Sequence, residues 1–199
     1  MVNNLNTILE LLEFESEDDF YFLQILKRKK EHPELGSNSY VVKTYQITSK
    51  ESLQRYMPEI ICLCDFHNAR AGINLNKRSF EKTHLKVIQR LVNQLENKDH
   101  RSARKAYNSV CGLHSNAKEK RWIIDIDSKD ENERSHSSGI MLMCDPPGTK
   151  VLRTIETKNG FHQITKPFNV AQFKEYFKQQ NNYELPDIHK DNPTILYIP

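Results

Sequence analysis

The sequence predicts an α+β domain with a mixed, antiparallel-rich sheet, flanking helices and a helical N-terminal part. Several segments repeat apolar residues at helical spacing, and several short segments rich in β-branched and aromatic residues lie far apart along the chain. Strands that are distant in sequence favour an antiparallel-rich sheet with helices on one side. No repeat or linker divides the 199 residues, so we predict a single domain, helical over residues 1–36 and with an α/β core over 37–199.

The N-terminal part is predicted to contain two helices. Apolar residues at helical spacing predict the first helix over residues 3–14. The second is predicted to begin near Ser16, because Ser16-x-x-Asp19 resembles a capping box, and to end before Pro33 or Gly36. The sequence leaves open whether these helices bind a partner or only cover the sheet.

The core is predicted to alternate between helices and short strands. Ser49 can cap a helix in which Pro58 implies a kink or a later start. Other helices are predicted over residues 80–95, 102–113 and 170–179, and strands over residues 40–47, 69–75, 121–127, 151–156, 160–165, 183–188 and 194–198. Asn159-Gly160 predicts a hairpin turn between two of these strands, and the polar residues 128–139 predict a loop.

Composition argues against a membrane protein. Hydrophobic residues make up 37% of the chain and charged residues 28%, and no apolar run approaches the ~20 residues that cross a bilayer. No secretory signal is visible, so we expect a cytoplasmic protein that has no membrane partner and whose four cysteines are reduced.

Charge is distributed unevenly along the chain. The net charge is only +3, but residues 27–30 and 77–121 are rich in lysine and arginine. A basic middle segment can neutralise nucleic-acid phosphates. Solvated helix faces are the alternative explanation.

The strand over residues 121–127 ends in two carboxylates. In a strand, residues two apart point to the same face, so Asp125 and Asp127 should project together while Ile124 and Ile126 face another layer. Two neighbouring like charges raise each other's pKa unless a cation lies between them. The pair is therefore a candidate site for Mg²⁺ or Mn²⁺, which prefer oxygen ligands.

A histidine and several cationic or hydroxyl side chains follow in the hairpin. His162 should point away from its neighbours Phe161 and Gln163, and on the face of the Asp pair it could contact phosphate or metal. Lys158 and Lys166, with nearby threonines, would suit a phosphate-binding surface. A half-exposed strand histidine without a ligand is the alternative.

A third acid and an early arginine complete the candidate set. Asp187 at a strand end, or else Asp191, could add a third carboxylate, as phosphoryl-transfer sites with two metals require. A loop or N-cap role is the alternative for both. Arg70, on a strand preceding the acidic one, could bind phosphate or form a structural ion pair, and the same choice applies to Arg78.

The order of these motifs resembles the catalytic core of the archaeo-eukaryotic primase superfamily, which includes the primase-polymerases of phages and other mobile elements. The Asp125-x-Asp127 strand resembles the first family motif, and Gly160-Phe161-His162 resembles the second. Asp187 resembles the acid of the third. The resemblance covers residues 65–198, and Arg70 falls where the family has an early basic strand. Gly160 stands where many members have serine, and Ile188-His189-Lys190 only approximates the third motif.

The resemblance implies template-dependent nucleotidyl transfer in DNA replication. Asp125, Asp127 and Asp187 would hold two divalent metals, Mg²⁺ or Mn²⁺, and His162 would contact the incoming triphosphate. Nucleic acid and nucleoside triphosphates would be the partners, together with a replication protein. The alternatives are a non-catalytic nucleic-acid-binding accessory protein and a metal-dependent nuclease or phosphoesterase.

Overall fold

Two antiparallel sheets and six helices make up the part of the chain that the structure describes. The structure is a computed structural model, and it describes residues 1–36, 39–113, 115, 117–180 and 183–199. The predicted α+β class is confirmed. Within the described residues, no helix has both the length and the apolar character needed to cross a membrane.

The elements have the following bounds. The helices are α1 Leu5–Leu11, α2 Lys50–His67, α3 Phe80–Glu96, α4 Ala106–Leu113, α5 Glu131–Met143 and α6 Val170–Gln180. The strands are β1 Val2–Asn3, β2 Asp19–Lys27, β3 Tyr40–Ile47, β4 Arg70–Asn74, β5 Arg78–Ser79, β6 Trp122–Ile126, β7 Val151–Glu156, β8 Phe161–Thr165, β9 Asp187–His189 and β10 Pro193–Ile198. Short 3₁₀ turns lie at Pro33–Leu35 and Ala103–Lys105.

The first sheet has the order β1-β10-β4-β2-β3, and β5 pairs with the start of β2. Strand β2 lies in its interior and is covered on both faces. Tyr21, Leu23 and Ile25 join the main core beneath α1 and α2, whereas Phe20 and Phe22 pack against Cys111 and other residues near α3 and α4.

The predicted second N-terminal helix is wrong, because residues 19–27 form β2. A strand buried on both faces is apolar at nearly every position, and such a run cannot be separated from a buried helix by periodicity alone. The carboxylate of Asp19 does not cap a helix but accepts hydrogen bonds from the backbone N–H groups of Glu15 and Ser16. The N-terminal part is therefore helical only at α1 and at the short turn Pro33–Leu35.

The second sheet has the order β7-β8-β6-β9. Along the chain its elements run β6-α5-β7-β8-α6-β9, which is the split βαβ arrangement with two helices on one face. Ile124 and Ile126 pack on that face with apolar residues of α5 and α6, such as Met141 and Phe173. The opposite face has no helix of this unit.

The predicted loop over residues 128–139 is also wrong, since Glu131–Met143 form α5. The Asp130 carboxylate accepts a hydrogen bond from the Asn132 N–H and caps the helix, and Glu131 and Glu133 favour its first turn. Ile140 and Met141 are buried against the sheet. The polar composition that suggested a loop comes partly from exposed residues such as Glu131 and Asn132, but Ser137 is fully buried.

The helix-free face of the second sheet packs toward the first sheet. Ile123, Ile155 and Ile164 join one core cluster with residues of α1, α2 and the first sheet, such as Ile8 and Leu196. The alternation of β6 is therefore as predicted, with even-numbered residues toward α5 and α6 and odd-numbered residues toward the first sheet.

The other predicted elements agree with the structure to within a few residues. Helix α2 is capped by Ser49 and starts at Lys50 with Pro58 inside it, so of the two expected alternatives, a kink or a later start, the later start does not occur. Strand β9 is shorter than predicted. All four cysteines are free, and only Cys62 is exposed.

Arg78 is a fully buried cation that joins three parts of the chain. Its Nε donates to the Cys111 carbonyl at 2.9 Å, a second nitrogen donates to the Asn76 carbonyl, and Nη2 lies 3.4 Å from Oδ1 of Asp191. Burial lowers the pKa of Arg78, and the charge of Asp191 opposes that shift. Of the two roles considered for Arg78, phosphate ligand or structural ion pair, the structure shows the ion pair, with Asp191.

Replacing Arg78 with methionine should destabilise the fold. The change leaves two carbonyl groups and the partly buried Asp191 without their donor, so we expect the free energy of unfolding to fall by about 3 kcal/mol. Urea unfolding of the variant measures this. The matched control is Arg153→Met, because Arg153 is exposed and its pair with Glu10 should be worth less than about 1 kcal/mol. Equal losses in the two variants would contradict a structural role specific to Arg78.

Candidate functional site

Three polar side chains form a row across the helix-free face of the second sheet. The register pairs Asp125 of β6 with His162 of β8 on one side and with Asp187 of β9 on the other. Residues directly opposite in antiparallel strands share a face and bring their Cβ atoms to about 5 Å. The sheet therefore places the three residues of the predicted motifs side by side.

The Asp125 carboxylate lies between two imidazoles. The Nε2 atom of His162 is 3.4 Å from Oδ1, and the Nε2 atom of His189 is 3.9 Å from Oδ2. The Nδ1 atom of His162 is 2.9 Å from the hydroxyl of Thr194 on β10. Thr194 thus fixes the imidazole ring from the first sheet, so His162 directs its other nitrogen at the acid.

Two opposing effects act on the charge of Asp125. Burial raises the pKa of this carboxyl group, but the hydrogen bond from His162 and the positive charges of His162, His189 and Arg28 outweigh burial. The pKa of Asp125 is therefore below its ordinary value. The group is an anion at neutral pH and can serve as a ligand or as an acceptor.

Arg70 provides a cation at the first residue of β4 in the first sheet. It pairs with Glu31, and its Nε atom is buried with no hydrogen-bond partner among the described residues. Burial and the nearby charge of Arg28 lower the pKa of Arg70 to about 10, against the opposing influence of Asp125. Arg70 stays protonated at neutral pH, and its positive charge interacts with the negative charge of Asp125 in the row.

Asp127 is placed differently from the rest of the predicted site. Strand β6 ends at Ile126, and Asp127 lies beyond it with an exposed side chain. Among the described residues, no hydrogen bond or ion pair joins Asp127 to Asp125 or His162. The structure thus brings Asp125, His162 and Asp187 together on one face of the sheet. Asp127 follows Asp125 closely in the chain but lies outside the strand.

The two predicted lysines lie at opposite ends of β8. Lys158 is in the turn before it and borders a cleft of about 450 Å³ lined also by Lys129, Thr157 and both chain termini. Lys166 directly follows the strand. Both are exposed, and each is four residues from His162, or about 13 Å of extended chain. The structure does not gather them around the row.

Asp191, the other predicted third acid, has a structural role. Its carboxylate contacts Arg78 and accepts a hydrogen bond from the side-chain amide of Asn76, and its carbonyl accepts one from Asn74. These contacts hold the chain between β9 and β10 against β4 and the segment that follows it. Asp187 is therefore the better placed of the two acids.

The donor set fits a hard cation that also keeps water or phosphate ligands. Among the described residues no three His, Cys, Asp or Glu side chains form a metal-ligand cluster. Mg²⁺, however, commonly binds to one or two protein carboxylates and completes its shell with water and substrate phosphates. Asp125 and Asp187 on neighbouring strands supply that number of carboxylates.

The sequence did not indicate that His189 and Thr194 belong to the site. His189 is two residues after Asp187, so strand alternation alone puts it on the same face. Thr194 is contributed by the other sheet, and no sequence spacing indicates its contact with His162.

Gly160 is required by a close approach of two backbone segments. A Cβ atom at this position would overlap the carbonyl oxygen of Ile126 and lie 2.6 Å from the nitrogen of Ser128. Glycine therefore occupies this position for a steric reason, because the segment after β6 passes close to the hairpin.

Replacing Gly160 with alanine should separate these segments. We expect a loss of at least about 2 kcal/mol in the free energy of unfolding, measured by urea titration. The control is Gly139→Ala in α5, where a Cβ meets nothing within 4 Å and where alanine should add about 0.5–1 kcal/mol. A neutral Gly160→Ala substitution would contradict the observed approach.

The lowered pKa of Asp125 predicts a pH dependence of stability. Because the folded-state pKa is below the unfolded-state value, the contribution of Asp125 is present above pH ~4 and is lost as pH falls through the folded-state pKa. Asp125→Asn should therefore lose stability at neutral pH and show a shallower decline on acidification. Unfolding measured between pH ~7 and ~2 checks this, and parallel curves for the two proteins would contradict it.

In comparisons with known proteins, no family model, no curated protein and no solved structure matches the chain.

Proposed function

We propose that the chain catalyses nucleotidyl transfer in DNA replication, in the manner of a primase-polymerase. The single observation that carries the proposal is the row His162–Asp125–Asp187 on the helix-free face of a split βαβ sheet. The motif order supports the same chemistry, and the geometry supplies an anion, a second carboxylate and a donor on one surface.

The carboxylates of the row would hold the metal ion. Asp125, ionised and partly buried, and Asp187, exposed at the sheet edge, would hold Mg²⁺ or Mn²⁺. When bound, such a cation supplies charge stabilisation to phosphate oxygens. Asp127 is exposed just past β6 and would join the site only with an incoming substrate or a second ion.

His162 and Arg70 would bind the triphosphate. His162 is oriented by Thr194, so that its Nε2 faces the Asp125 carboxylate. When the triphosphate binds, this nitrogen would donate its N–H to a phosphate oxygen in place of Asp125. The buried Nε of Arg70 has no partner among the described residues, and its guanidinium can offer the planar donor set that phosphate accepts.

Primer synthesis and extension with labelled nucleotides test the proposal. We expect activity on DNA or RNA templates with Mg²⁺ or Mn²⁺, and a loss of at least about 100-fold in Asp125→Asn and in Asp187→Asn. Glu175→Gln is the control, because Glu175 is an exposed acid on α6. Asp127→Asn shows whether Asp127 also takes part. A wild-type protein that is inactive with every template, or an active Asp125→Asn variant, would contradict the proposal.

Binding of Mn²⁺ tests the metal separately from catalysis. Electron paramagnetic resonance titration should show that wild type and Glu175→Gln bind Mn²⁺ and that Asp125→Asn and Asp187→Asn bind it at least about tenfold more weakly. Equal binding by all four proteins would show that Asp125 and Asp187 do not bind the metal.

A metal-dependent nuclease or phosphoesterase is the second candidate. The observation that favours it is the presence of two imidazoles beside one carboxylate, since His162 and His189 could move protons during hydrolysis. Labelled oligonucleotides separate the candidates, because a nuclease shortens them and a polymerase extends them. Salt-sensitive DNA binding that persists in Asp125→Asn, without either reaction, would instead indicate the accessory protein.

A further inference from the structure

The turn that follows β2 lies beside the start of β4, where Arg70 begins its strand. The register pairs Leu26 of β2 with Arg70, and β2 ends one residue later, so Arg28 is the first residue past the strand. The carbonyl group of Arg28 accepts hydrogen bonds from the backbone N–H groups of Glu31 and His32, which closes residues 28–32 (the β2 turn). The turn therefore brings a second arginine to the end of the first sheet at which Arg70 lies.

His32 holds the β2 turn against the segment that carries Arg70. Its side chain is buried, and its Nε2 atom lies 2.7 Å from the carbonyl oxygen of Asn68. Asn68 ends α2 and precedes Arg70 by two residues. The backbone of the turn is therefore fixed beside β4, and the side chains of Arg28 and Glu31 extend from this fixed base.

The Glu31 carboxylate neutralises Arg70 but leaves one of its donors unpaired. Oε1 of Glu31 pairs with Nη2 of Arg70, whereas the buried Nε of the same guanidinium has no hydrogen-bond partner in the part of the chain that the structure describes. A buried donor without an acceptor costs free energy. The Glu31 side chain is 32% exposed and that of Arg70 only 13%, so the carboxylate is the partner that can turn out into water.

Arg28 adds a second positive charge that acts on a group of each sheet. Burial is the largest influence on the pKa of Arg70 and of Asp125, lowering the first and raising the second, and the charge of Arg28 lowers both. The Arg28 side chain is exposed and forms no ion pair with another described residue. A phosphate group has more charge and more acceptor oxygens than a carboxylate, so it suits two guanidinium groups at once.

We propose that Arg28 and Arg70 together bind a polyphosphate anion, which takes the place of the Glu31 carboxylate on Arg70. The inference rests on the proposed function, because the triphosphate of an incoming nucleotide is the anion that would enter this site. The exchange of one anion for another leaves the guanidinium of Arg70 paired in both states, so no buried charge stands alone. Glu31 thus keeps Arg70 neutralised before the ligand arrives and competes with the ligand for it.

Calorimetric titration with magnesium tripolyphosphate tests the site without a polymerase assay. We expect wild type to bind this anion and Arg28→Gln to bind it at least about tenfold more weakly. Glu31→Gln should bind it about threefold to tenfold more tightly, because the competing carboxylate is removed. Lys29→Gln is the control for the lost positive charge, since Lys29 is exposed in the same turn, and Glu175→Gln is the control for the lost negative charge. Both controls should bind as wild type does.

Three results would overturn the inference: no binding by wild type, equal binding by Arg28→Gln and Lys29→Gln, or binding by Glu31→Gln that is no tighter than that of Glu175→Gln. Arg28 is exposed, so its variant should fold and decides the matter if Glu31→Gln is unstable.

The same variants separate this inference from the proposed function. The expected binding pattern in a protein that makes no primers would support the polyphosphate site and contradict the polymerase. Primer synthesis by a protein in which Arg28→Gln changes neither tripolyphosphate binding nor the KM for nucleotides would support the polymerase and overturn the role of Arg28.

Discussion

The central constraint in this structure is the position of β6 between β8 and β9. Its apolar residues alternate between two cores, with Ile124 and Ile126 against α5 and α6 and Ile123 toward the first sheet. A shift of one residue in its pairing would exchange these faces and bury Asp125 among apolar side chains. Packing on both sides therefore fixes the register, and the register places His162 and Asp187 beside Asp125.

The site shows how burial and charge are balanced at one carboxylate. Burial alone would favour a neutral acid, but the hydrogen bond from His162 and the positive charges of His162, His189 and Arg28 keep Asp125 ionised. Thr194 contributes by holding the imidazole from the opposite sheet. The arrangement of His162 and Asp125 thus depends on the packing of the two sheets against each other through their shared core.

The sequence predicted much of the local structure. Strand β3 has the bounds that composition predicted, and the motifs at Asp125 and His162 lie on strands with the predicted side-chain directions. Two elements were predicted wrongly for opposite reasons. Strand β2 is buried on both faces and has the uninterrupted apolar character of a buried helix. Helix α5 begins with polar residues, among which Glu131, Asn132 and Ser135 are exposed, so its composition is that of a loop.

By itself, the sequence determined which residues can carry chemistry and on which face of a strand each one lies. Alternation with a period of two is a local property of the backbone, so it follows from residue order alone. Only the tertiary structure decided that Asp187 lies opposite Asp125 and that Thr194 holds His162. It also decided that Asp191 is bound to Arg78 and that Lys158 and Lys166 lie apart. These relations join residues far apart in the chain, and they depend on strand order, register and sheet packing.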